Sequence, residues 1–346
     1  MKRILIVGNL GYVGPVLVKH LVSKKFIVDG LDTGFFLSNL TTNDSSEVFL
    51  RKQIFKDVRN IEKNDLIGYD GLIYLAAISN DPMGQAFKNQ TMDINFKSAV
   101  AVAKLSKKVG VKSFLFASSC SVYGDSDQEI KSESSSLNPL TTYAESKILA
   151  ERKLSILADS NFSITCLRFA TACGTSERAR LDLVVNDFVA NSFINKSIKL
   201  LSMGDSHRPF ISVSDMCRAF EWALKRSSFN GGVFCTLNVG NKNLNMTIIE
   251  LANKISGLTG SKVSVSEDAQ PDKRSYRVSY KKFYSLAKDY LPKDSMNSIT
   301  KKLLLLYSEN DFITKDFRNS DYIRLKFLNK LVFKKLINKN LYWNKR

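Results

Sequence analysis

Gly8-Asn9-Leu10-Gly11-Tyr12-Val13-Gly14 is the stretch that decides the fold of this 346-residue chain. It follows Ile4-Leu5-Ile6-Val7, a short apolar run of the kind that forms a buried parallel strand. It opens a segment with helical spacing at Val16, Leu17 and Leu21, after which Phe26 to Asp32 reads as a second strand. A glycine triplet alone is no more than a turn. Between a buried strand and a helix it forms a loop whose first glycine allows a tight turn. The second lets backbone N–H groups approach phosphate, and the third permits close helix–strand packing. The whole is a βαβ unit of the length that binds a dinucleotide. Asp32 closes the second strand about twenty residues beyond the loop, where a carboxylate accepts from both ribose hydroxyls and repels a 2′-phosphate. NAD is therefore expected over NADP; the blander use of Asp32 is a turn or helix cap.

Further strand-like runs follow at 71–75, 113–117 and 163–168, with helical periodicity at 91–109 and 140–159. This alternation predicts an α/β protein built on a Rossmann-type, doubly wound parallel sheet. Residues 1–175 are expected to form the NAD-binding domain, with some segments of 205–240 returning to it. Residues 176–290, less regular, are expected to form mostly a smaller substrate-binding domain. Residues 291–346 read as a basic C-terminal extension with a helix from Tyr322 to about Asn338.

Composition narrows the chemistry. Only His20 and His207 exist and no Cys/His cluster has ligand spacing, so neither a metal site nor a Ser-His-Asp hydrolase is expected. Cys120, Cys166, Cys173, Cys217 and Cys235 lie unpaired in apolar segments, as reduced thiols of a cytoplasmic protein do. Met1-Lys2-Arg3-Ile4 runs straight into a strand, so no signal peptide is expected, and no apolar run approaches membrane-span length. The net charge of +18 invites a nucleic-acid reading, but much of the excess lies in the last fifty-odd residues and no acidic residue follows Asp321. No nucleic-acid partner is therefore expected.

Tyr143-Ala144-Glu145-Ser146-Lys147 carries the reaction chemistry. Its Tyr and Lys are four apart, on one helix face, where an ammonium favours phenolate and draws the phenol toward service as a general base. As a lone motif such a pair is a solvated helix face. Ser119, in Ser118-Ser119-Cys120-Ser121-Val122-Tyr123-Gly124, follows a buried strand and offers a hydroxyl to substrate and to Tyr143; otherwise it merely satisfies backbone.

Taken together, these motifs make residues 2–285 resemble an extended short-chain dehydrogenase/reductase of the nucleotide-sugar epimerase/dehydratase family. The resemblance assigns Tyr143 as base, Lys147 as its positioner and nicotinamide-ribose ligand, and Ser119 as assistant, with Ser118 beside the cofactor. Asp57-Val58 matches the family's adenine-contacting pair, Leu75-Ala76-Ala77 the segment along the cofactor, and Asn95 the asparagine behind the active site. The family's usual histidine two residues before that alanine pair is Tyr74 here. Arg208 begins a segment that ends at Asp215 and commonly reaches the substrate nucleotide. Arg178, Arg180, Asn186 and Arg274 fall where relatives hold a nucleotide diphosphate, with guanidinium forks suited to it; exposed arginines otherwise serve as surface charge. The Ser79-Asn80-Asp81-Pro82 loop is expected to line the sugar pocket, with Ser119, Cys120 and Ser121.

Departures from the family pattern narrow the reaction. Dehydratases place Asp-Glu after the catalytic Ser/Thr, where this chain has Cys120-Ser121. Family members that epimerise C3 or C5 place a cysteine at the Ser121 slot, so Cys120 reads as packing or pocket wall. What remains is redox at C4: a nucleotide-sugar C4 epimerase, or a one-way C4 dehydrogenase or reductase, for example on a GDP-linked heptose or deoxysugar. A non-catalytic NAD-binding module with an RNA- or membrane-binding tail is the third reading. The resemblance also implies a homodimer or higher homo-oligomer paired through 91–109 and 140–159, using Ile94, Val100, Ile148 and Leu149. The tail permits weak peripheral membrane contact through Ile323, Leu325, Leu328, Leu331, Val332, Leu336 and Ile337. Its alternative use is to dock that apolar side on the body of the enzyme.

Overall fold

A computed structural model describes residues 1–42, 45–125, 129–272 and 274–344. Its centre is a seven-stranded sheet of β1 (Arg3–Val7), β2 (Ile27–Asp32), β3 (Lys52–Phe55), β4 (Gly71–Tyr74), β5 (Ser113–Ser119), β6 (Ser163–Phe169) and β7 (Phe234–Val239). The spatial order is β7-β6-β5-β4-β1-β2-β3 and every pairing is parallel. Successive side chains point to opposite faces, and both faces are covered, so the strands are apolar throughout. Leu5, Val7, Leu72, Tyr74, Phe114 and Phe116 enter one core with the helical stretch 92–108 and the helix Thr142–Ser155. Ile4, Ile6, Ile73, Leu115 and Leu167 enter the other, with the helices Gly14–Ser23 and Val213–Lys225. The chain order reverses between β1 and β4, which opens a crevice beyond the carboxyl ends of the strands.

A second lobe has its own core of Leu181, Val185, Phe188, Leu200, Leu251 and Ile255, closed by Met296, Ile299, Leu303, Tyr307 and Phe317. The last five come from the segment read as an extension. Its later part, the helix Arg324–Phe333 and the turn beyond it, buries Phe327, Leu328, Leu331, Ile337 and Leu341 in the core beside β1 and β4. Residues 291–344 are thus not an appendage: the two halves of the segment complete two different cores. The helix is also shorter than its apolar–basic interleaving suggested. It ends where Lys335 takes a positive φ of 55° and the chain turns back. Three of the apolar side chains assigned to membrane contact, Leu328, Leu331 and Ile337, face inward; Phe333 and Leu336 remain exposed, and Lys345 and Arg346 lie outside the described residues.

Three of the four apolar positions expected to pair two copies are likewise engaged within one chain, and Leu149 is half-buried. Ile94, Val100 and Ile148 are all buried, and the exposed faces of their helices carry Lys97, Lys104, Arg152 and Lys153. Among the described residues no helix is long and apolar enough to cross a membrane.

Candidate active site

The strand ends open into one cleft of about 970 Å³. Gly8, Gly11, Tyr12, Val13 and Gly14 form its floor. Each glycine has a different reason. Gly8 has φ +93°, and a Cβ there would stand 2.5 Å from the Ala76 nitrogen; at Gly14 it would stand 2.1 Å from the Asn9 carbonyl oxygen. At Gly11 the nearest protein atom would be the Gly8 carbonyl oxygen, 3.4 Å away. The protein's own packing thus demands glycine at 8 and 14, while the bareness of Gly11 leaves room on the cleft side. Asn9 departs from the expected cofactor set, because its side chain donates to Gln53 at 2.7 Å and does not line the cleft. The Leu10 side chain is buried, and its amide donates to Asp32 at 3.0 Å.

Asp32 lines the cleft at the end of β2 and also accepts from the Gly34 amide at 2.8 Å. Burial raises its pKa against the lowering effect of those two amides. Asp57 and Val58 line the same end, with Asp57 held by a forked ion pair from Arg59. Leu75, Ala76 and Ala77 run along the wall, their backbone fixed by Leu75 and Ala76 amides donating to Val7. Asn95 does not reach the cleft. From a π-helical turn it donates to the Ile78 carbonyl and accepts from the Ile78 amide, so it holds that wall from behind.

Tyr143, Lys147, Ser118, Ser119 and Ser121 come together on the opposite wall. Thr141 caps the helix Thr142–Ser155 and hydrogen-bonds Asp81, and Gly84 lets the helix Asp81–Ala86 approach the Tyr143 backbone. Burial pushes the Tyr143 phenol up to about 12, while its hydrogen bond to Ser119 works to lower it. Lys147, 2% exposed, is lowered to about 7 by burial; its ammonium donates to the Ala117 carbonyl and lies 5.5 Å from the Tyr143 ring centre. Ser118 is tied to Glu151, whereas the Ser121 hydroxyl finds no partner among the described residues. Cys120 turns away: its thiol donates to the Arg168 carbonyl and it does not line the cleft.

The predicted arginines divide. Arg180 lines the cleft with its guanidinium on Asp182 and Ser79, and Asn80 donates to the same Asp182. Arg208 and Arg274 line it from the second lobe and share Asp272, while Arg274 also reaches Asp81. Arg178 and Asn186 do not line it. Arg178 is enclosed by Glu177 and Glu47, and Asn186 anchors Gly174, Arg180 and the Tyr12 hydroxyl through hydrogen bonds. Sequence reading places Asp81 only in the Ser79–Pro82 loop expected to line the sugar pocket, and it assigns no role to Asp182 or Asp272; all three orient these guanidiniums. The i,i+2 spacing of Arg180 and Asp182, and of Asp272 and Arg274, was the available signal. It also missed Arg324, which enters the cleft from the C-terminal segment and carries no local motif.

A glycine turn facing a Tyr/Lys/Ser wall across one cleft is the site of a dinucleotide-dependent enzyme acting on an alcohol. The chain belongs to the NAD dependent epimerase/dehydratase family, whose model matches residues 4–240. It is 25% identical over 283 residues to the UDP-glucose 4-epimerase of Lactobacillus helveticus, covering 74% of this chain and 82% of that one. Identity is also 25%, over 290 residues, with the UDP-glucuronic acid decarboxylase 1 of Danio rerio, covering 81% and 67%. Among solved structures it shares its fold with the UDP-glucuronic acid 4-epimerase of Bacillus cereus in complex with NAD, at TM-score 0.75 and 20% identity, over 90% of this chain and 99% of that one.

Proposed function

We propose that the protein is an NAD-dependent nucleotide-sugar 4-epimerase. The observation that carries this reading is the meeting of Tyr143, Lys147 and Ser119 in the same cleft as the glycine turn. The relatives named as epimerases support it. Gly11 leaves space for the NAD diphosphate, with Gly8, Tyr12, Val13 and Gly14 shaping the turn. Asp32 faces the adenosine ribose, Asp57 and Val58 the adenine, Leu75 to Ala77 the length of the dinucleotide, and Ser118 its nicotinamide end. When bound, NAD accepts and returns a hydride at the sugar C4.

Tyr143 takes the proton of the sugar 4-OH and gives it back after the 4-keto sugar has turned over. Ser119 hydrogen-bonds the same oxygen and favours the phenolate, and Lys147 holds the nicotinamide ribose and, once protonated, stabilises the phenolate. With the phenol near 12 and the amine near 7, Tyr143 is protonated at neutral pH while Lys147 is close to its midpoint, so positive charge beside Tyr143 favours its phenolate. Arg208 and Arg274 bind the substrate diphosphate, and Ser79, Asn80, Ser121 and Arg180 border the sugar. Asp81, the carboxylate that acts on Tyr143, is engaged by Arg274 and Thr141, which leaves it poorly placed to eliminate water. The five cysteines, all free and buried, support a reducing compartment such as the cytoplasm. A homodimer or higher homo-oligomer belongs to the same reading. Mass spectrometry of the small molecules released on denaturation tests it: NAD or NADH is expected, alone or with a nucleotide sugar. A protein that carries neither and does not bind added NAD contradicts it.

A further inference from the structure

Among the described residues six lysines and arginines are buried, namely Lys147, Arg168, Arg178, Arg180, Arg208 and Arg324. Four of them are ion-paired: Arg168 with Glu151, Arg178 with Glu47 and Glu177, Arg180 with Asp182 and Arg208 with Asp272. Lys147 and Arg324 are in no ion pair, and both line the cleft. A buried charge without a counter-ion is expensive, so an unpaired buried cation in a cleft points to an anion or a reacting group that completes it. For Lys147 that is the reaction site. Arg324 is at the other end.

The guanidinium of Arg324 stacks 3.9 Å over the Phe36 ring, just past β2 and Asp32. One of its terminal nitrogens donates to the Arg178 carbonyl at 3.1 Å; the other, Nη1, is buried and has no partner among the described residues. Burial and the charge of Arg180 disfavour its protonated form, with Asp182 and Asp32 working against them and Arg178 with them, and a bound anion would offset the balance further. The segment that carries it is firmly seated on the dinucleotide half of the molecule. Asn39 donates to the Asp321 carbonyl and Tyr322 to the Leu40 carbonyl. Arg59, already paired with Asp57, donates to the carbonyls of Asn340 and Leu341 and lies 3.4 Å over the Tyr342 ring. Trp343 donates to the Thr33 carbonyl at 2.7 Å. Thr33 and Asp57 mark the ends of β2 and β3, where the adenosine side of the cleft lies.

We infer that Arg324 is a phosphate-binding residue of the dinucleotide site, and that the 320–344 segment is a strap closing its adenosine half. The inference rests on the reading of the cleft as an NAD site. The diphosphate is the anionic group of NAD, and Arg324 offers it Nη1, the terminal nitrogen without a partner among the described residues. A 2′-phosphate fits worse, because Asp32 occupies the ribose side. The strap lies beyond the family-matched residues 4–240, so its contribution to the cofactor site belongs to this chain's own C-terminal segment.

Calorimetric titrations of NAD and of UDP into the parent protein and into Arg324→Gln test this. NAD affinity is expected to fall roughly 10–100-fold, the scale of a lost hydrogen bond to a charged group, with UDP affinity unchanged. Unchanged NAD affinity overturns the inference, as does an equal loss of NAD and UDP, or a loss of UDP alone. Failure of the parent to bind NAD instead removes the reading of the cleft beneath it. Should Arg324→Gln not fold, hydrogen exchange in the parent protein decides. Amides of Arg324–Phe333 must exchange more slowly with NAD present, and equal rates with and without NAD overturn the strap.

Discussion

The two ends of the chain meet in one cleft, yet they reach it by different means. The N-terminal half places its groups at strand ends, where a parallel sheet, buried on both faces, leaves little freedom of register. The C-terminal segment places Arg324 by docking a short helix and a return turn on that finished sheet. Its fixed points are single hydrogen bonds and the burial of Leu328, Leu331, Ile337 and Leu341. The first kind of site is announced by motifs. The second depends on the whole surface beneath it.

The sharpest way to break this comparison is to remove the second partner. Truncation after Leu291 deletes Met296, Ile299, Leu303, Tyr307 and Phe317 from one core and Phe327, Leu328, Leu331, Ile337 and Leu341 from another. At about 1.5–3 kcal/mol for each such side chain, the loss exceeds a typical domain's net stability of about 5–15 kcal/mol. Circular dichroism should show no cooperative unfolding transition. A truncated protein that keeps the parent's melting temperature would restore the tail to the status of an appendage, and vesicle binding by the intact chain would restore its membrane role.

Next in size is the reaction centre. Tyr143→Phe should lower turnover at least ~10²-fold, the usual scale for losing a general base, with NAD affinity and melting temperature retained. Substrate conversion at the parent rate would remove Tyr143 from its role.

The glycines sharpen the distinction between packing and binding. Gly14→Ala should destabilise the fold, because its Cβ meets the Asn9 carbonyl oxygen at 2.1 Å. Gly11→Ala should leave the melting temperature nearly unchanged and weaken NAD by at least ~10-fold, through the lost approach of backbone to phosphate. Equal behaviour of the two variants in thermal melts would contradict the separation.

A further separation comes from a pH dependence. The amine of Lys147 sits near 7 in the folded protein and at the ordinary lysine value when unfolded, so the unfolded chain binds the extra proton between about pH 7 and 10.5. Stability against unfolding therefore gains from this group as pH rises through that window and is lowest below it. Lys147→Met, in protein without dinucleotide, should be more stable than the parent at pH 6–7, with the gap closing toward pH 10. A gap that does not vary with pH, measured by denaturant titration, would mean that the amine is not held neutral.

Legibility in the sequence followed the same division. Five of the seven strands appear as apolar runs because burial on both faces demands it. Lys52–Phe55 was missed because it is an edge strand with both its ends exposed and no such run. Phe234–Val239 is interrupted by Asn238, a buried side chain bonded to Tyr123 and to the Ser279 carbonyl. Tyr143, Lys147 and Ser119 were readable because the helix period and a strand end fix them locally. Arg178 was misplaced because sequence spacing does not reveal that Glu47 and Glu177 enclose it. Arg324 was unreadable for the converse reason, since nothing near it in sequence distinguishes it from the surface lysines around it.

The central claim is that Tyr143 takes the 4-OH proton while the C4 hydride passes to bound NAD, and that the hydride then returns to the same carbon from the other face. Nuclear magnetic resonance of the products formed from the protein's nucleotide-sugar substrate deuterated at C4 tests this most directly. The account predicts a nucleotide sugar inverted at C4 with the deuterium retained there and no build-up of NADH. NADH accumulating in step with substrate consumed, without the inverted sugar, would contradict it and identify a one-way dehydrogenase.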